Sequence, residues 1–140
     1  MLGIPDADSS ENQTASKNFV VTAISCALPR GPNDPPALNS RHRVNVLPGS
    51  RLHALCGIDW LDEEHFCNYG ISEEYVERFE AAGLRISARG ESGDVRAVEL
   101  AEHPFFISTL FHPHRRSHHP FIAAFVEAAA TSAKIKASLA

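Results

Sequence analysis

Long apolar runs are missing from this chain of 140 residues. No stretch reaches the ~18 apolar residues that a membrane-spanning helix needs, and no positively charged segment leads into an apolar one as in a secretory leader. The expectation is a chain with no membrane partner that works in the cytoplasm. Basic runs are scarce too. A net charge of −4, with no block of Lys or Arg, argues against nucleic acid and anionic lipid as partners. The three cysteines are an odd number at unrelated spacings, which argues against a disulfide framework and fits a reducing compartment. All three read as small buried hydrophobes. None of Cys26, Cys56 and Cys67 stands between closely spaced glycines, so nothing local marks any of them as an activated nucleophile. No internal repeat or low-complexity tract is present, and no motif calls for a cofactor.

Hydrophobic residues at 44% and charged residues at 21% suit one soluble domain or part of one. Residues 1–18 are polar and turn-rich and read as a flexible segment or loop. The domain is expected over 19–133, with a tail at 134–140. Residues 19–27 have the β-branched density of a strand, and 29–39, with four prolines, form a connection. A short strand over 43–47 turns at Pro48-Gly49 into a short helix over 51–55, and 60–69 holds another short strand. Ser72 is the expected N-cap of the next helix, with Glu73 and Glu74 in its first turn and Gly83 ending it. Tyr75, Val76, Phe79 and Ala82 form its buried stripe. Residues 84–88 and 95–100 make a hairpin across Gly90-Glu-Ser-Gly93. Pro120 opens the last helix, whose Phe121, Ile122, Phe125, Val126 and Ala129 are expected to pack on the sheet.

The most informative run is His103-Pro-Phe-Phe-Ile-Ser-Thr-Leu-Phe-His-Pro-His114. Residues 105–111 are a continuous apolar and β-branched stretch, which suits a strand buried on both faces with Phe106 in the core. The residue before each proline is driven to extended geometry, so His103 and His112 bracket it. His112 is then expected at the carboxyl end of a core strand, where open α/β sheets place their reactive groups.

Four stretches in register resemble the class I glutamine amidotransferases, in the form of the CTP synthase glutaminase domain and of short proteins like it. They are Pro48-Gly-Ser-Arg-Leu-His-Ala-Leu-Cys-Gly57, Glu74-Tyr-Val-Glu-Arg-Phe-Glu-Ala-Ala-Gly-Leu84, Val98-Glu-Leu-Ala-Glu-His-Pro-Phe-Phe106 and Phe111-His-Pro113. The similarity runs from about residue 20 to 130. It implies the C-terminal part of a flavodoxin-like α/β domain, with a β-hairpin and a C-terminal helix. It also implies hydrolysis of glutamine, with the ammonia used at a synthetase domain to aminate UTP to CTP in pyrimidine nucleotide biosynthesis. In the family a nucleophilic Cys, a His and an acid form the triad, and the matching positions here are His112 for the imidazole and His114 for the acid.

Departures from that pattern shape the expectation. The glycine-flanked nucleophile turn has no counterpart, and the chain is expected to start after the point where it would lie. His114 replaces the acid; in serine proteases neutralising the acid costs on the order of 10⁴ in rate. A neutral imidazole there could orient His112 but supplies no negative charge. The segment where the family holds glutamine with an arginine reads Glu64-His-Phe-Cys-Asn-Tyr-Gly-Ile-Ser72, without one, and Arg41 and Arg43 lie earlier in the order as an exposed basic pair. A truncated, catalytically incompetent amidotransferase domain is therefore expected, with a missing N-terminal half or a synthetase as partner. The other readings are a non-catalytic remnant or interaction protein, and a His-rich metal-binding protein. His112, His114, His118 and His119 are a candidate metal set, but Arg115 and Arg116 oppose a cation. His118 and His119 are expected to face solvent.

Overall fold

The computed structural model describes residues 3–12, 14–24, 40–65, 67–113 and 119–138. Its strands are β1 (Ala7–Ser9), β2 (Asn18–Ala23), β3 (Ser40–Val46), β4 (Trp60–His65), β5 (Tyr69–Ile71), β6 (Leu84–Gly90), β7 (Val95–Leu100) and β8 (Ile107–Thr109). The helices are α1 (Arg51–Cys56), α2 (Val76–Ala81), led by a 3₁₀ turn at Glu73–Tyr75, and α3 (Pro120–Ser138). A small sheet has the order β1-β2-β5, and a larger one the order β4-β3-β6-β7-β8. Every pairing in the larger sheet is antiparallel. The connection expected at 29–39 lies outside the described residues.

Alternation builds the larger sheet. Along β3, Val44 and Val46 are buried while Arg41 and Arg43 are exposed, as the two-residue period of a strand requires. Beyond β8 the chain crosses to the opposite edge. Phe111 forms an antiparallel bridge with His65, and the His112 N–H donates to the Glu64 carbonyl at 3.0 Å. The sheet therefore curls until its two edge strands are joined, which removes much of the unpaired edge. Val44, Val46, Leu52, Leu61, Ala88, Ala97 and Phe111 fill the inside. The outer face of the β6–β7 hairpin is also covered: Ile86, Val95 and Val98 pack with Val76 of α2.

Local chemistry sets the turns. Ser50 has extended backbone and its Oγ accepts the His53 N–H at 3.0 Å, which caps α1. Glu99, reaching from β7, accepts the N–H groups of Arg51 at 2.8 Å and Leu52 at 3.2 Å. A buried carboxylate thereby meets the positive end of the helix. Gly57, at φ 66°, closes α1. Gly90 is required for space, because a Cβ there would lie 2.6 Å from Asp94 Oδ1.

The structure corrects several expectations. Only Ile107–Thr109 of the 105–111 run is strand, it lies at a sheet edge, and Ser108 is exposed. The run is not a strand buried on both faces. An antiparallel curled sheet has one inner side, and the three phenylalanines separate: Phe111 enters the core, Phe105 meets Phe125 edge-on at 5.6 Å, and Phe106 is 37% exposed. Arg51 also holds the start of the run outside the sheet by donating to the carbonyls of Ala101, His103 and Pro104 at 3.1–3.2 Å. Helix α3 does not pack on a sheet face, since the inner face is already filled; none of its residues is fully buried. Phe121 touches the core, while Phe125, Val126 and Ala129 are exposed. Ala82 is exposed too, because α2 ends at Ala81. Strand β1 falls within the segment read as flexible or looped, and α3 continues past residue 133.

Unequal burial predicts unequal cost. Phe111→Ala should lose about 3–5 kcal/mol as a core truncation. Phe106→Ala should lose under about 1.5 kcal/mol, since much of that ring already meets water. Urea unfolding of both variants checks the pair, and equal losses would contradict the edge placement of this segment.

Candidate functional site: the His112 strand end

His112 follows the bridge that joins the sheet edges and is half-buried. Its backbone is pinned to Glu64, so its position depends on what holds the end of β4. That anchor is a polar network beneath the strand. Arg96 of β7 is 2% exposed, and its Nη1 donates to His65 Nδ1 at 2.9 Å. Its Nε faces the Asp94 carboxylate as an ion pair. A guanidinium can only donate, so Nδ1 of His65 must accept and the imidazole carries its proton on Nε2. Burial, then the positive charge of Arg96, then His42 push the His65 pKa down to about 4, against weaker opposing effects of the Leu110 backbone and Asp94. The His65 ring also stands edge-on to Phe111, with centroids 6.2 Å apart.

A second buried pair involves the same strand. Glu63 and His119 are both buried, with Oε1 and Nε2 3.6 Å apart. His119 is therefore not solvent-facing as expected. It directly precedes α3, where its carbonyl accepts the Ile122 N–H at 3.1 Å, and its ring packs on Phe121 at 4.6 Å. The contact with Glu63 is at ion-pair rather than hydrogen-bond distance, and among the described residues neither ring nitrogen of His119 has a hydrogen-bond partner.

His114, with Arg115, Arg116 and His118, lies outside the described residues, as does Cys26. Among the described residues no group of three or more His, Cys, Asp or Glu side chains could hold a metal ion. Cys56 is half-buried, and burial followed by the Glu63 charge pushes its thiol up, the reverse of activation. Cys67 is exposed, which corrects its reading as a buried hydrophobe: it sits in the connection from β4 to β5. Arg41 is exposed and paired with Asp62 at 2.8 Å. Arg43 lies over the Trp60 ring at 4.9 Å. Neither is drawn into the His112 region by these contacts.

No family model matches the chain. Among curated proteins it is similar to the CTP synthase of Cytophaga hutchinsonii, 30% identical over 141 residues, covering 97% of this chain and 26% of the relative. The CTP synthase of Symbiobacterium thermophilum is 31% identical over 139 residues, covering 92% of this chain and 25% of the relative. Among solved structures the chain matches the glutaminase domain of Trypanosoma brucei CTPS with bound acivicin at TM-score 0.77 and 28% identity, over 93% of this chain and 53% of that one. The chain is similar, over most of its length, to part of a CTP synthase glutaminase domain. It spans about a quarter of the length of these two curated relatives. The fold is the class I glutamine amidotransferase fold in part, with the hairpin and C-terminal helix that the sequence implied. Among the described residues no helix is long and apolar enough to cross a membrane.

Reading the sequence missed Glu63, His65, Arg96 and Glu99 as buried groups. Strand alternation carries the signal for the first two, which share the inward side with Leu61. Arg96 and Glu99 are charges within a strand of otherwise apolar residues.

The depressed pKa of His65 fixes the sign of a pH effect. In the unfolded chain its imidazole gains a proton below about pH 6.5, while the folded protein resists protonation until about 4. Its contribution is thus intact above pH 6.5 and is lost as pH falls towards 4. Urea unfolding across that window should show falling stability, with a shallower fall in His65→Gln. An unchanged slope in the variant would assign the pH dependence to other groups.

Proposed function

We propose that this chain is the imidazole-bearing part of a glutamine amidotransferase of the CTP synthase type. On this reading His112 is the triad imidazole and His114 stands where the acid belongs. Glutamine is the substrate. The ammonia passes to a synthetase partner that aminates UTP to CTP in the cytoplasm. The match to the trypanosomal glutaminase domain over 93% of the chain is the observation that carries it.

The chemistry assigns His112 two proton transfers. As a base it takes the proton of a thiol as the sulfur attacks the glutamine amide carbon. As an acid it returns that proton to the departing ammonia, and water then opens the thioester to give glutamate. This chain by itself lacks two of the requirements. The Cys56 thiol is pushed up by burial and by Glu63, and the residue directly after His112-Pro113 is His114 rather than Asp or Glu. We therefore read the chain alone as catalytically incompetent.

The expected outcome is that the purified chain releases no ammonia above a protein-free blank with glutamine in excess. Turnover that disappears in Cys26→Ala, Cys56→Ala or Cys67→Ala would show that one of these thiols is the nucleophile and would contradict incompetence.

A further inference from the structure

Strand register sets a carboxylate beside His112. Phe111 and His65 are bridge partners in an antiparallel ladder, so the neighbouring pair is His112 and Glu64. The His112 N–H bonded to the Glu64 carbonyl at 3.0 Å agrees with that register. Residues opposite each other in such a ladder stand on one face, with Cβ atoms ~4.5–5.5 Å apart. His65 and Phe111 are both buried and their rings meet edge-on, which gives them the inner face. Alternation then sends Glu64 and His112 to the other face, where both are half-buried and Oε2 of Glu64 is shielded from solvent. On its other side Glu64 lies opposite Arg41 of β3. The Arg41 guanidinium, however, bonds to the Asp62 carboxylate, through Nε at 3.1 Å and Nη2 at 2.8 Å.

An imidazole that takes a thiol proton needs a carboxylate to hold its tautomer and offset its charge. The residue after His112-Pro113 is His114, which brings no negative charge. We propose that Glu64 is the carboxylate that positions His112, reaching it from the neighbouring strand instead of from two residues along the chain. This rests on the amidotransferase reading above and adds to it the source of the missing charge. The carboxylate accepts the N–H of one ring nitrogen, which leaves the other nitrogen to take the thiol proton. The imidazolium then faces an ionised Glu64. Giving the proton to the departing ammonia restores the neutral ring, and Glu64 keeps its charge throughout. The bond needs only a turn of the flexible Glu64 side chain across one ladder position, and such bonds often tighten only when substrate is held.

Nitrogen NMR of the histidine-labelled chain, at a pH where the His112 ring is neutral, tests the pairing without needing turnover. A single His112 tautomer is expected in the parent and in His114→Ala. It should also survive in Glu64→Gln, whose amide oxygen can accept the same bond. Glu64→Ala should release the ring into a mixture of both tautomers, while the His112 amide stays protected from exchange and so shows an intact ladder. A mixture in the parent would overturn the proposal, as would a single tautomer in Glu64→Ala or its loss in His114→Ala. Should Glu64→Ala disturb the ladder, the His114→Ala spectrum still decides which of the two residues holds the ring. Glutamine is then added to the parent, and a shift of the His112 resonances is expected. No shift at a ring held by Glu64 keeps the pairing and contradicts the amidotransferase reading. A shift at a ring indifferent to Glu64 does the reverse.

Discussion

Arg96 is the constraint on which the larger sheet turns. Its charge cannot be removed by deprotonation, and it is buried, so each interaction it makes offsets a large desolvation cost. Asp94 supplies the counter-charge from the end of the hairpin turn, and His65 supplies an acceptor from the far edge strand. Asp94 directly precedes β7, the strand that carries Arg96, whereas His65 lies on the edge strand β4. Satisfying both draws the end of β4 towards β7, and the sheet must curl. The bridge from His65 to Phe111, and with it the position of His112, follows from that curl. Gly90 belongs to the same arrangement, because only the absence of a Cβ leaves room for the Asp94–Arg96 pair.

Elements defined by a few local residues were legible in the sequence. Pro48-Gly49 leads into α1, Gly83 follows α2, Pro120 opens α3, and the strand pair around Gly90 and Gly93 is a hairpin. Each depends on backbone preferences that act over a handful of residues. The segment before and after Ile107–Thr109 was misread because an apolar run does not say where its side chains go. Phe105, Phe106 and Phe111 are chemically alike, and only the path of the chain, fixed by Arg51 at one end and by the bridge at the other, sends one inward and leaves another near water. The same limit applies to α3, whose apolar residues promised a packed face that the filled interior does not offer. Buried charges were hidden for a different reason. Glu63, His65, Arg96 and Glu99 have the composition of surface residues, and their partners are distant in sequence, so no local pattern pairs them.

The curled sheet, held by Arg96, fixes the backbone at His112. Hydrogen exchange of the His112 amide tests it directly, because that N–H is bonded to Glu64 across the closing edge. It should exchange slowly, like the amides of β6 and β7, and become fast in Arg96→Met while amides of the hairpin stay protected. A His112 amide that exchanges freely in the parent protein, with β6 and β7 still protected, would contradict the account.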